Sequence, residues 1–413
     1  GSRAGAFIVD AARTPFGLWR GVLRARHHAE LAAVVMDTLI TRNDFDPHLL
    51  DDVILGFENR MGAYGINMGR ATVLSSHVVP EEVPGSTVDR QCGASLQAFT
   101  FATQAVLSGL QDVVFAGGVQ ESTGHKVFRK GGEVAGHHTF VNSAIKGKYH
   151  RLTTRLAGAE MLAEEYRLTR VDMEEFAVES HRRAAASAKH FKKEIIPTEG
   201  DKRPSKKRYT RRQVKHHKWA QQFRDPPPRA VLSMDDVVQP HITLEDLSCL
   251  QPLEIGGRIT TGAMSPLADG ASGCLIVNEA GLNKLGATPR GRVVAVGSVG
   301  DDPTLMLRGV IPATQRILQR SGLRLRDMDV VEVNEDFACV PMAWIIAMES
   351  QGATHDTTNV QGGSLALGHP TGATGTRLVT TTLCQLERCG GRYGLIVMAE
   401  GGGLANAAII ERL

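Results

Sequence analysis

Apolar residues recur along this chain in two alternating rhythms. Short β-rich runs, AFIVDAA (6–12), DDVILGF (51–57) and QDVVFAGG (111–118), read as buried strands. HAELAAVVMDTLITR (28–42) and ASLQAFTFATQAVLSGL (94–110) carry the three-to-four spacing of helices. Alternation of this kind predicts an α/β fold with a largely parallel sheet covered by helices. From residue 273 the same grammar returns. GCLIVNE, GRVVAVGSVG, MDVVEVNE and YGLIVMAE read as strands, and RGVIPATQRILQRSG and GTRLVTTTLCQLERCG as helices. Two similar halves predict an internal duplication, although no strong residue-level repeat is visible. Residues 126–255 break the pattern with a helical stretch at 155–190, three prolines at 226–228 and HITLEDLSCLQPL at 241–253. The expected organisation is a first lobe over 1–125, completed by part of 255–280, an inserted loop domain over 126–255 that covers a site, and a second lobe over 275–413.

Composition sharpens this picture in a few places. A chain of 413 residues is too long for one ordinary core. The net charge is only +3, yet residues 202–229 hold eleven Lys/Arg and one acid, Asp225. Such a stretch suits phosphates, nucleic acid or an acidic partner. Nucleic acid is disfavoured, because only Tyr209, Trp219 and Phe223 are there to stack on bases and no nucleic-acid module is recognisable. The six cysteines (92, 249, 274, 339, 384, 389) form no CxxC and scatter widely. They point to reduced thiols in a cytoplasmic compartment and not to a disulfide framework. No apolar run reaches the roughly 18–20 residues of a membrane span. Gly1-Ser2 reads as a vector remnant, so an organelle-targeting segment could have preceded the chain. Metal binding has no support from spacing: the histidine pairs 137–138 and 216–217 lack other donors at ligand intervals.

Four stretches carry candidate chemistry. VDRQCGASLQAF puts Cys92 at the start of an apolar helix, where free N–H groups and the helix dipole favour a thiolate; a buried inert cysteine is the plain alternative. QGGSLALGHPTGATGTR holds a single imidazole, His369, suited to orienting or activating an oxygen or sulfur; a phosphate-cradling loop or a satisfied core histidine is the plain alternative. VEVNEDFACV ends a strand at Asn334 and Glu335, with Cys339 beyond. Asn334 could hold a water or donate to an oxyanion, although a turn asparagine fits equally. VMAEGGG (397–403) presents three bare glycines beside Ala399 and Glu400.

Together these segments resemble the thiolase family. IVDAARTPFG, QCGASLQA, AGGVQEST, NEDFA, GGSLALGHPTGATG and EGGGLANA occur in the family's order over essentially the whole chain, most closely in the outer lobes. The resemblance implies duplicated α/β lobes with two mixed sheets and helices between and around them, and an inserted loop domain that binds coenzyme A. It implies an acyltransferase that cleaves a 3-ketoacyl-CoA with CoA, or condenses acyl-CoA units. CoA is substrate and product, and no tightly bound cofactor is implied. The nucleophile of the family matches Cys92. His369 and Asn334, the latter through a water, match one oxyanion hole, and the N–H groups of Cys92 and Gly401 match the second. Ser265 matches a serine that contacts the pantetheine arm, and the stretch 202–229 falls in the CoA-binding loop domain. A homodimer or homotetramer is implied as well.

One position departs from the family. An acid/base cysteine belongs two residues before the first oxyanion glycine, where this chain has Ala399. The most economical reading is a deliberate Cys→Ala replacement. The others are a natural, catalytically silent CoA-binding or complex-forming protein, and relocation of the acid/base, for example to Cys339. A thiolase subgroup carries that cysteine in the loop matching NEDF, but it falls at Asp336 and not at Cys339. A ketoacyl synthase, which needs a second histidine where Asn334 stands, is disfavoured.

Overall fold

The computed structural model describes residues 5–24, 26–58, 66–120, 143–149, 152–201 and 229–413. The basic stretch 202–228 and half of the segment HHTFVNSAIKGKYH (137–150), residues 137–142 and 150, lie outside the described residues. The strands are β1 (Phe7–Arg13), β2 (Gly17–Leu18), β3 (Asp52–Gly56), β4 (Gly85–Val88), β5 (Val113–Gln120), β6 (Thr198–Asp201), β7 (Arg229–Leu232), β8 (Ala268–Val277), β9 (Gly291–Gly300), β10 (Val330–Val333), β11 (Tyr393–Ala399) and β12 (Leu404–Arg412). Every run read as a strand from the sequence is one. That reading missed β2, β4, β6, β7 and β12.

Ten strands form one sheet in the order β10-β11-β12-β9-β1-β8-β5-β3-β4, with β2 beside β8, while β6 and β7 form a separate ribbon. The expectation of a largely parallel sheet is corrected. Only β3 with β4 and β5, and β10 with β11, pair in parallel. Strand β8 runs antiparallel to β1 and β5, and β12 runs antiparallel to β9 and β11. For β12 the reason is local. Only Glu400–Gly403 separate it from β11, too little chain for the crossover that parallel neighbours need.

The duplication is visible in the strand order. The run β1-β8-β5-β3 and the run β9-β12-β11-β10 share one pattern of antiparallel, antiparallel and parallel pairings. The two copies meet at a seam of two residue pairs, Phe7 with Arg292 and Ile8 with Gly291. The two expected sheets are therefore joined edge to edge.

Helices Ala94–Ser108 and Thr371–Cys389 occupy equivalent places in the two copies, the first ahead of β5 and the second ahead of β11. The second is buried without a break from Gly372 to Leu386, so it has no solvent face. Its threonines meet that burial by bonding back along the helix, as Thr380 Oγ1 does to the Thr376 carbonyl at 2.8 Å. Strand residues alternate between layers. On β11, Leu395, Val397 and Ala399 face an outer core, while Ile396 and Met398 face the central core with Leu96, Phe99 and Leu378.

The central contact is made backbone to backbone. A Cβ on Gly118 would stand 2.0 Å from the Gly372 carbonyl oxygen, and one on Gly375 would stand 2.3 Å from the Leu96 nitrogen. Thr376 N–H donates to Ser95 Oγ across the same contact at 3.1 Å. The middle segment is held by charge. Arg13, fully buried at the end of β1, bonds Glu194 at 2.7 Å and Asp235 at 2.6 and 2.9 Å. Its helical stretch is two helices, Arg155–Glu165 and Arg170–Phe191, the second opened by a capping box between Thr169 and Asp172. Among the described residues no helix is long and apolar enough to cross a membrane.

Gly118→Ala should lower stability by about 3 kcal/mol, because carbonyl backbone on the opposing helix cannot move aside like a side chain. Urea denaturation measures this. An unchanged midpoint would show that the two backbones lie farther apart than here.

Candidate active site

The loops at the ends of the two central helices converge. Gln91 adopts a left-handed backbone (φ 50°), rare for a residue with a Cβ, immediately before Cys92. This sharp turn, followed by the one-turn helix Gln91–Gly93, delivers Cys92 into the interior at 1% exposure. His369 is placed from the other side, where Pro370 caps the helix Thr371–Cys389. Its Nδ1 lies 2.7 Å from Thr374 Oγ1, and its backbone N–H donates to the Pro266 carbonyl at 3.0 Å.

A carboxylate completes the cluster. Asp336 Oδ1 stands 2.7 Å from His369 Nε2 and 2.5 Å from an Arg155 Nη. The imidazole approach has ion-pair distance without the alignment of a hydrogen bond, since neither atom finds a well-directed partner there. Cys92, Asp336 and His369 each contribute one atom to a set within 4.8 Å of one another. Sequence spacing had suggested no gathering of donors, because these three come from three separate loops. Arg155 lies at ion-pair distance from the carboxylate of this set.

Burial pulls the Asp336 carboxyl upward, but Arg155 and His369 outweigh it and hold the group well below the usual carboxylate range. The expectation that the helix end favours a Cys92 thiolate is corrected. Burial pushes the thiol well above its ordinary range; Arg155 opposes this, and Asp336, Glu58 and Glu400 add to it. Desolvation and three carboxylates outweigh a helix N-terminus and one guanidinium.

Asn334 follows β10 and is also buried. Its Oδ1 accepts from Ser364 Oγ at 2.6 Å, and Ser364 Oγ in turn accepts from Arg377 at 3.1 Å. Arg377 is fully buried, 3.5 Å from Glu332, whose carboxyl burial pushes up to about 8 against the pull of Arg377. Because an arginine only donates, this chain fixes the direction of every proton and thus the amide's orientation. Asn334 Nδ2 is left without a partner among the described residues. Next to it, Glu335 is structural: it accepts from Ser180, Asn359 and the Leu365 N–H.

Gly401 opens the turn between β11 and β12, in which Gly402 and Gly403 take φ 72° and 79°, a conformation suited to glycine. A Cβ on Gly401 would lie 3.0 Å from Gln91 Oε1, so this turn packs against the Cys92 loop. Glu400 is closer still: its carboxyl oxygen lies 1.8 Å from where a Cβ on Gly93 would be. Both carboxyl oxygens are buried without partners among the described residues, and burial raises the group well above the usual range.

Ser265 sits at the edge of this cluster, its N–H donating to the Asp336 carbonyl at 3.0 Å. Its neighbours Met264 and Pro266 line a cleft of about 640 Å³ together with His181, Gln239 and Leu365. His181 accepts from the Gln239 N–H at 3.0 Å, and burial pushes its pKa down to about 4, so it faces the cleft uncharged. Cys339 is not in the cluster; its thiol faces the Ala159 carbonyl at 3.5 Å in the outer core. Sequence reasoning passed over Arg155, Ser364 and Arg377 as functional groups, and named Asp336 only as the place where a thiolase subgroup carries its cysteine. Among these four only Asp336 left a signal, as the second of two adjacent acids ahead of the apolar FACV.

Cys92 in the ligand-free chain should alkylate slowly at neutral pH, behind the exposed Cys249 and Cys389, and accelerate only above the ordinary thiol range. Iodoacetamide labelling followed by peptide mass spectrometry reads this; a rate already at its plateau by about pH 8 contradicts the assigned electrostatics.

The sequence matches the family models described as thiolase, N-terminal domain, over residues 6–280 and thiolase, C-terminal domain, over residues 287–412. The chain is similar to the steroid 3-ketoacyl-CoA thiolase FadA6 of Mycobacterium tuberculosis, with 40% identity over 99% of this chain and 94% of that one. It is also similar to the 3-ketoacyl-CoA thiolase of Yersinia enterocolitica, with 35% identity over 98% of this chain and 99% of that one. The crystal structure of human mitochondrial 3-ketoacyl-CoA thiolase in complex with CoA superposes with a TM-score of 0.81 at 29% identity, covering 99% and 98% of the two chains. Loop geometry, duplicated topology and these matches agree: the chain belongs to the thiolase family of acyltransferases.

Proposed function

We propose that this protein is an acyl-CoA C-acyltransferase that cleaves a 3-ketoacyl-CoA with CoA, or runs the condensation in reverse, through a thioester on Cys92. The observation that carries the reading is Asn334, whose amide orientation is locked by Ser364 and Arg377 while a buried Nδ2 is left free to donate. A buried donor without a partner is costly unless a ligand or water satisfies it. A thioester oxygen, reached directly or through one water, meets that need.

In this reading Cys92 Sγ attacks the keto carbon. The N–H groups of Cys92 and Gly401 take the resulting oxyanion, and Asn334 and His369 take the thioester oxygen that becomes enolate-like. The pantetheine arm runs past Ser265 along the cleft bounded by Met264 and Pro266. Attack of Cys92 on the keto carbon uses no side chain at position 399. Protonating the carbon leaving group and deprotonating the incoming CoA thiol do require a proton carrier, and Ala399 cannot be one. By resemblance the protein assembles as a homodimer or homotetramer.

A silent CoA-binding protein is the second reading, favoured by Ala399. Mass spectrometry after incubation with acetyl-CoA separates the two. The acyltransferase reading expects an acetyl adduct on Cys92 that Cys92→Ser abolishes; CoA binding with no adduct supports the silent reading. Asn334→Ala should lower kcat for thiolysis by about 100- to 1,000-fold, the usual cost of one oxyanion donor, with the fold intact by circular dichroism.

A further inference from the structure

We propose that a cavity beside the C-terminal end of the helix Thr371–Cys389 binds a small phosphoryl anion. The cavity holds about 210 Å³. At ~30 Å³ per water that is the space of roughly seven waters, which admits a phosphate or a diphosphate. Lys189, His190, Lys193, Glu194 and Gln361 line it, together with Cys384 and Arg388 of that helix. His369 stands before the opposite end of the helix. From Thr371 to Cys384 the axis runs roughly 20 Å at ~1.5 Å per residue. No residue of this lining borders the cleft beside Ser265, so the two are separate sites.

Three cations converge here. Burial first, and then Arg388, Lys189 and Lys193, hold the His190 imidazole below its ordinary range, and no acid counters them. Among the described residues no carboxylate pairs with any of the three. Arg388 gives one N–H to Gln385 Oε1 and keeps the rest of its fork. The acid in the lining, Glu194, is already engaged. Its Oε1 accepts from Arg13 at 2.7 Å and from Thr381 Oγ1 at 3.1 Å. Like charges gathered on one rim repel unless an anion lies between them.

Two neutral groups show that the cavity is more than a basic surface. Gln361 is 4% exposed and lines the cavity, yet no described residue hydrogen-bonds its amide. The turn that carries it is well held. Gly362 N–H donates to the Asn359 carbonyl at 2.9 Å, and Asn359 Nδ2 donates to the Val333 carbonyl at 2.8 Å and to Glu335 at 3.0 Å. His190 Nδ1 is also buried without a partner among the described residues. Buried polar groups are normally paired, and the oxygens of an anion would accept from the Gln361 amide and from an Nδ1–H. Basic side chains suit the last turns of the two helices that meet here, but that preference leaves the buried amide unexplained. A guanidinium fork, two ammonium groups and an amide form a donor set matched to phosphoryl oxygens. The lining has no Phe, Tyr or Trp on which a base would stack, so the phosphoryl group is recognised without a nucleoside.

Isothermal titration calorimetry of the full chain with pyrophosphate, at constant ionic strength, tests the site. One saturable equivalent per chain is expected, and saturating CoA should not displace it. ADP should bind more weakly than pyrophosphate. Lys193→Gln combined with Arg388→Gln should weaken binding by about tenfold or more. Gln361→Leu should also weaken it, and because it leaves the net charge unchanged it separates a built site from general attraction to cations. Circular dichroism should show the parent's fold in both variants. Four results overturn the proposal: no saturable binding, displacement by CoA, ADP binding more tightly than pyrophosphate, or a folded double variant that binds like the parent. The last would assign the anion to other cations, such as those of residues 202–229.

Discussion

Two helices that touch through their backbones set the geometry on which everything else depends. The helices Ala94–Ser108 and Thr371–Cys389 come from equivalent places in two copies of one topology, and each begins at the loop that bears a reactive side chain. Their separation is fixed by what is missing at Gly375, which meets the Leu96 backbone, while Gly118 and Gly372 seat the second helix against β5. With backbone atoms where methyl groups would stand, the contact has little freedom to slide. The loops before the helices therefore hold Cys92 and His369 in register, although nearly 280 residues separate them.

Electrostatics then decides what that register is used for. The interior holds three arginines that simple burial would disfavour, each beside a carboxyl group: Arg13 by Glu194 and Asp235, Arg377 by Glu332, and Arg155 by Asp336. Breaking such pairs is expensive, so the side chains around them have few alternatives in orientation. One pair aims Asn334 through Ser364. Another sets a carboxylate beside the imidazole and the thiol. Burial and the neighbouring carboxylates push the Cys92 thiol well above its ordinary range, so the helix end alone does not set its state.

The turn 400–403 shows how little side-chain chemistry a site segment needs. Its glycines permit the hairpin from β11 to β12 and bring the Gly401 backbone against the Cys92 loop. Ala399 itself faces the outer core with Val397 and not the central helices, as strand alternation requires. Glu400 is the unusual occupant: a buried acid that only a glycine at position 93 leaves room for.

The chain by itself determined the strands and helices of both halves, because buried strands and amphipathic helices have distinct periods. It also determined Cys92, Asn334, His369 and Gly401 as the candidate site, because those residues stand in recognisable motifs at element ends. It understated β12, since LANAAIIER gives mostly small apolar residues, and it suggested a largely parallel sheet because pattern reveals strands without their direction. The edge-to-edge joining of the two copies, the approach of Asp336 to His369 and the choice of Arg155 as its counter-ion were decided only by tertiary structure. Each joins residues from distant loops, and no local period or spacing encodes a contact of that range. The state of the Cys92 thiol belongs to the same class: the helix end is written in the sequence, whereas burial and three neighbouring carboxylates exist only once the chain has folded around it.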